Sequence, residues 1–196
     1  MRVWGLPPMI SFMRRSGPIP ALAALALIGL TGCATGAQET PMRSTSTATA
    51  TLTLSSLAFG DRELMPRKFS CDGSEVSPPL SWSGAPEGTR AFALIVEDPD
   101  AGGFVHWVVA GIPAESQRLD EGATGSEELT EGRNSFGKAG WGGPCPPSGE
   151  HRYVFTLYAL SEQSPVQKGF DASALREAMS GKILAQGELI GRYARG

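Results

Sequence analysis

The sequence predicts a mainly β fold of two antiparallel sheets carrying a few peripheral helices. Three observations lead there. The 196 residues include 25 Gly and 15 Pro, a share that long helical bundles do not tolerate. The 41% hydrophobic content is enough for a real core, yet it comes mostly in runs of strand length. Only one stretch, near the C-terminus, has a capped helical pattern. Length allows one domain or at most two small ones.

The elements follow in order. Thr51–Phe59 alternates as a strand, with Leu52, Leu54 and Leu57 apolar. Ser77–Trp82 is extended, because Pro78 and Pro79 exclude helix and suit a sheet edge. Ala91–Glu97 and Phe104–Gly111 are apolar runs separated only by Asp98–Gly103, which makes them a hairpin. Tyr153–Leu160 is a further central strand. Asp171 is the N-cap of a helix running through Met179 and ending at Gly181, and Lys182–Tyr193 returns to strand. That gives at least six strands and one helix.

The N-terminus reads as a targeting segment. Arg14 and Arg15 precede the uncharged run Pro18–Leu30, which is too short to span a membrane and right for a signal-peptide core. It ends in Leu30-Thr31-Gly32-Cys33, a lipobox, so residues 1–32 are expected to be removed and Cys33 acylated. Met13 to Cys33 is already a complete signal, which makes Met13 an alternative start to Met1. Residues 34–50 hold almost no large apolar side chain and read as a flexible tether, leaving 51–196 as the folded domain. Attachment to membrane then comes from the N-terminal acyl chains. Ala34, rather than Asp, after the cysteine points to the outer membrane, facing the periplasm, in a two-membrane cell.

The full chain has a formal net charge of −3. Removing the signal takes away three arginines and no acid, leaving 14 basic and 20 acidic residues. Neither balance suits a nucleic-acid groove.

Three segments concentrate chemistry. Asp98-Pro99-Asp100 lies just past the end of a buried strand, where it either does local turn work or faces a pocket. His106 sits in the middle of the next apolar strand. A strand histidine is often only a satisfied core residue, but the hairpin places Asp98 nearby as an acceptor for its N–H. Gly140–Gly149 is a Gly/Pro-rich loop containing Gly142, Gly143, Pro144, Cys145 and Pro146. It is either a rigid connector or a nest of amides that could bind an anion. His151 and Tyr153 follow it on one strand face.

Taken together, DPD at a strand end, VHW on the next strand and GGPCPP followed by HRY resemble the phosphatidylethanolamine-binding protein family. More narrowly they resemble its bacterial Raf-kinase-inhibitor-like (YbhB/YbcL type) branch. CDGSEVSPPLSW (Cys71–Trp82) and KILAQGELIGRY (Lys182–Tyr193) extend the resemblance from Leu52 to Arg195. It implies two antiparallel sheets and a small pocket for phosphate or phosphorylethanolamine-type groups, or a phospholipid head group. The implied ligand set is Asp98, Asp100, His106, Gly142, Gly143, Pro144, Pro146, His151 and Tyr153, with protonated imidazoles and loop amides holding the anion. Only five residues separate DPD from His106, fewer than is usual in the family, so the adjoining pocket wall should be short. Cys71 and Cys145 both fall in segments that match the pocket side. They are the even pair left once Cys33 is acylated, and an exported compartment would let them form a disulfide.

The sequence thus describes an envelope-anchored binding protein with no metal and no cofactor. A kinase partner, which the branch name suggests, is not expected outside the inner membrane. Two other function classes stand beside binding: a small-ester or phosphoester hydrolase using the pocket histidines, and a protein-binding inhibitor or structural envelope component. Ser135-Phe136-Gly137-Lys138 matches S-x-x-K, but its Gly and Asn neighbours do not support the required helix, and no S-D-N or K-T-G accompanies it.

Overall fold

The computed structural model describes residues 50–167 and 169–195. Residues 1–49, which hold the stretches read as a signal segment and a tether together with Cys33, lie outside the described residues. Among the described residues no helix is long and apolar enough to cross a membrane.

Among the described residues, ten strands and one α-helix appear in the order β1 (Ala50–Thr51), β2 (Thr53–Ser55), β3 (Glu63–Leu64), β4 (Leu80–Ser83), β5 (Ala91–Asp98), β6 (Phe104–Pro113), β7 (Arg118–Leu119), β8 (Thr130–Glu131), β9 (Glu150–Leu160), α1 (Ala172–Met179) and β10 (Ile183–Ala194). The larger sheet runs β1-β10-β9-β5-β6-β8, with β3 also on β10. The smaller runs β2-β4-β7. All the long strands pair antiparallel, whereas the two-residue strands β1 and β3 pair parallel to β10.

Alternation explains why β5 reads as continuously apolar. Phe92, Leu94 and Val96 enter the core between the sheets, where Leu54, Leu80 and Trp82 meet Phe155 and Leu189. Ala93 and Ile95 point the other way, into a second core under α1 with Val108, Leu175 and Met179. A strand covered on both faces has no polar side to show.

Two local expectations change. Thr51–Phe59 is not one strand: the chain leaves the large sheet after Thr51 and joins the small one at Thr53, so both Leu52 and Leu54 are buried. Pairing stops at Ser55, and Leu57, which the alternation put inward, is 96% exposed. The helix runs through Met179 as expected, and Gly181 just beyond it adopts a left-handed φ of 74°. Its N-cap is Asp171, which accepts from the Ala174 amide at 2.9 Å.

The β5–β6 ladder carries a bulge that matters for the site. Val96 pairs with Trp107 but Glu97 pairs with Val105, which leaves His106 as an extra residue without a partner. Two neighbouring residues normally face opposite sides of a sheet. The bulge instead lets His106 face the same side as Trp107, toward Trp141 and Tyr153.

Candidate functional site

A cavity of about 260 Å³ opens where the ends of β5, β6 and β9 meet the Gly/Pro loop. Its lining includes Asp98, Phe104, His106, Phe136, Cys145, Pro146, His151 and Tyr153, with Ala101 and Pro147 at the edge. Hollows of larger volume beside α1 and beside Asp72 are more open and contain neither histidine. Among the described residues, no three His, Cys, Asp or Glu side chains cluster as metal ligands.

Asp98 is a buried carboxylate, 3% exposed, with both oxygens engaged. The amides of Asp100 and Ala101 donate to Oδ1 at 2.9 and 3.0 Å and so cap the short 3-10 turn Pro99–Ala101. His151 Nδ1 lies 2.7 Å from Oδ2. A carboxylate only accepts, so Nδ1 carries the proton and Nε2 is the nitrogen left for the cavity.

The expectation that Asp98 would serve His106 is corrected by this geometry. His106 Nδ1 donates to the Gly142 carbonyl at 2.6 Å instead. The His106 ring is 3% exposed and packed among Phe104, Phe136, Trp141 and Tyr153, with centroids 5.0 to 6.4 Å away. Burial pulls its imidazole below the usual histidine range, against the opposing pull of the Gly142 carbonyl and the Asp98 charge. His106 is therefore a neutral imidazole near pH ~7, not the protonated anion ligand the sequence suggested. The sign for stability follows. Below about pH 6.5 the unfolded chain takes up a proton that the folded His106 resists, so stability falls as pH drops through that value. Urea midpoints measured from about pH 7.5 to about pH 5.5 should show this slope, and His106→Phe should flatten it. Parallel slopes in both proteins would contradict the assignment.

The Gly142 and Gly143 amides are not open to a ligand. The Gly142 amide donates to the His106 carbonyl at 2.9 Å, and the Gly143 amide donates to Glu75 Oε1 at 3.1 Å. These glycines serve close packing. A Cβ on Gly142 would collide with the Phe136 ring, and one on Gly143 would sit 2.6 Å from the Phe69 carbonyl oxygen. Gly142, Gly143 and Pro144 thus stand behind the cavity wall and orient His106, while Cys145 and Pro146 line it. Asp100 also lies off the cavity. It binds Arg152 with both oxygens, at 2.7 and 3.0 Å, and the guanidinium holds its carboxyl down to about 2.

Cys71 and Cys145 form a disulfide with Cα atoms 5.5 Å apart. The Cys71 amide also donates to the Pro144 carbonyl at 3.1 Å. The Tyr153 hydroxyl is buried and has no hydrogen-bond partner among the described residues. Burial and the charges of Asp98 and Asp100 hold that phenol well above its ordinary range, so it remains a neutral donor.

Sequence and structure comparisons fit this arrangement. The family described as phosphatidylethanolamine-binding protein matches residues 55–194. The chain belongs to the phosphatidylethanolamine-binding protein family. A UPF0098 protein of Methanothermobacter thermautotrophicus is 43% identical over 151 residues, 74% of this chain and 100% of its own. A UPF0098 protein of Chlamydia muridarum is 42% identical over 71% of this chain and 97% of its own. Among solved structures, a phosphatidylethanolamine-binding protein homolog of Chlamydia trachomatis superposes with a TM-score of 0.71 at 38% identity, covering 75% of this chain and 99% of that one. Escherichia coli YbcL, described as a member of the mammalian family, gives 0.70 at 32% identity, over 75% of this chain and all of its own.

In this phosphatidylethanolamine-binding protein family member, the short connection from Asp98 to His106 leaves a wall made of Ala101 and Phe104. Sequence reading missed three contributors. Phe136 lines the cavity although 45% exposed. It lies in the S-x-x-K stretch, where Ser135 Oγ accepts from the Val105 amide at 2.9 Å. Phe104 was seen only as a strand residue. Glu75, with a left-handed φ of 55°, carries no local signal for its bond to a loop 68 residues away.

Proposed function

We propose that this chain is an envelope-tethered binding protein whose cavity takes a small phosphate-bearing group, of the free phosphate or phosphorylethanolamine type. The observation that carries this reading is the Asp98–His151 pair, which leaves His151 Nε2 at the cavity beside a Tyr153 hydroxyl without a partner. An imidazole nitrogen and a phenol hydroxyl side by side suit a phosphate group, whose oxygens accept and whose P–OH donates. A volume of about 260 Å³ suits a head group rather than a whole lipid. Binding is favoured over turnover because the sulfur at the cavity, that of Cys145, is engaged in a disulfide and is no free nucleophile.

His151→Ala should weaken phosphorylethanolamine binding at least about tenfold by calorimetry, the loss of one charge-assisted hydrogen bond. The domain should stay folded, since the His151 side chain is 15% exposed and outside the core. Unchanged affinity would remove the basis for the reading. Phosphate release from a generic phosphoester by the purified protein would favour the hydrolase class instead.

The tether is proposed to be the acylated Cys33. Cys33→Ala should leave an unprocessed precursor, and processed, unacylated wild-type protein released from membranes would argue against it.

A further inference from the structure

We infer that His106 selects the protonation state of the ligand. The cavity takes a phosphate group that still carries a P–OH, and it disfavours an isosteric anion that has no proton to donate. This inference rests on the anion reading above and specifies which anion fits.

It comes from following the hydrogens. The Gly142 carbonyl can only accept, so His106 Nδ1 holds the ring's hydrogen on the side away from the ligand. A neutral imidazole then has a bare lone pair on Nε2, and none of the described residues donates to it. Asp98 cannot take over this accepting role toward a ligand. Its Oδ1 already accepts two amides and its Oδ2 accepts His151.

The cavity therefore offers the Tyr153 hydroxyl as a donor together with an open acceptor at His106. A phosphate monoanion answers both kinds. Its bare oxygens accept, and its P–OH donates to Nε2. Sulfate has the same shape and can only accept. It would set an oxygen lone pair against the Nε2 lone pair among the aromatic side chains of Phe104, Phe136 and Tyr153. A fully esterified phosphodiester has no P–OH and meets the same obstacle. The chemical class selected is thus free phosphate or a phosphomonoester, in preference to sulfate esters or the phosphodiester of an intact phospholipid.

The test is calorimetry on the whole protein at about pH 6, where a large share of phosphate monoester is singly protonated. Inorganic phosphate is compared with sulfate, and methyl phosphate with dimethyl phosphate. Phosphate should bind at least about tenfold more tightly than sulfate, the penalty for a buried acceptor left unpaired. Methyl phosphate should exceed dimethyl phosphate by a similar factor. Equal affinities would overturn the inference and leave the anion reading standing. Binding of none of these ions would overturn the anion reading, and the inference with it. In His106→Phe the phosphate-to-sulfate ratio should collapse toward unity. A ratio retained in that variant would place the acceptor elsewhere and overturn the assignment. The ratio is the deciding readout, because a general loosening of the pocket weakens both ions alike.

Discussion

Replacing Asp98 by Ala is expected to abolish phosphate binding and to lower stability by ~3 kcal/mol. In a domain of this size that corresponds to a fall in melting temperature of roughly 10 °C. The effect is large because one buried carboxylate does three jobs. It caps the turn that leads into β6 through two amides, and it holds the tautomer and direction of His151. Removing it leaves all three donors without their acceptor. Asp100→Ala is the control. That carboxylate pairs with an exposed Arg152 on the outer surface, and its loss should change stability by less than about 1 kcal/mol. The two variants can be compared by thermal unfolding and calorimetry. An Asp98→Ala protein that melts and binds like wild type would show that the Asp98–His151 pair is incidental.

Reduction of the Cys71–Cys145 bond should lower stability at least as much. The cysteines are 74 residues apart, so the cross-link removes a great deal of freedom from the unfolded chain, about 4 kcal/mol by loop-closure entropy. The folded state should lose far less. The Cys71 amide still reaches the Pro144 carbonyl and Glu75 still accepts from Gly143, so the loop keeps two of its ties to the 71–75 segment. Urea midpoints with and without reductant should therefore separate widely, while phosphate affinity measured well below the transition changes little. Coincident midpoints would mean that the bond contributes nothing to stability.

What the sequence made legible were features encoded by local periodicity. The long strands β5, β6, β9 and β10 and the Asp171 cap follow from runs and caps that can be seen within a dozen residues. The short strands β1 and β3 could not be read, because two residues carry no period and their pairing is set by β10 far along the chain. The site divides in the same way. Asp98, His106, His151 and Tyr153 converge on one cavity, as their placement on adjacent strands suggested. Their partners could not be read. An alternating pattern says which side a residue faces only if the ladder has no extra residue, and the extra residue here is His106 itself. The loop had the composition of an anion nest, yet its Gly142 and Gly143 amides are used by His106 and by Glu75 from a distant segment.

The unpaired position of His106 in the ladder also bears on redesign. Trp107 and Val105 are held by their cross-strand partners Val96 and Glu97, whereas residue 106 has none to disturb. Its chemistry can be rewritten while the pairing of the surrounding sheet is kept. A thiol or hydroxyl of fitting size installed there would face the cavity, keep a hydrogen for the Gly142 carbonyl and leave Trp107 in the core. The strand thus provides a socket, in which the reactive group is an insert and the scaffold is specified by everything around it.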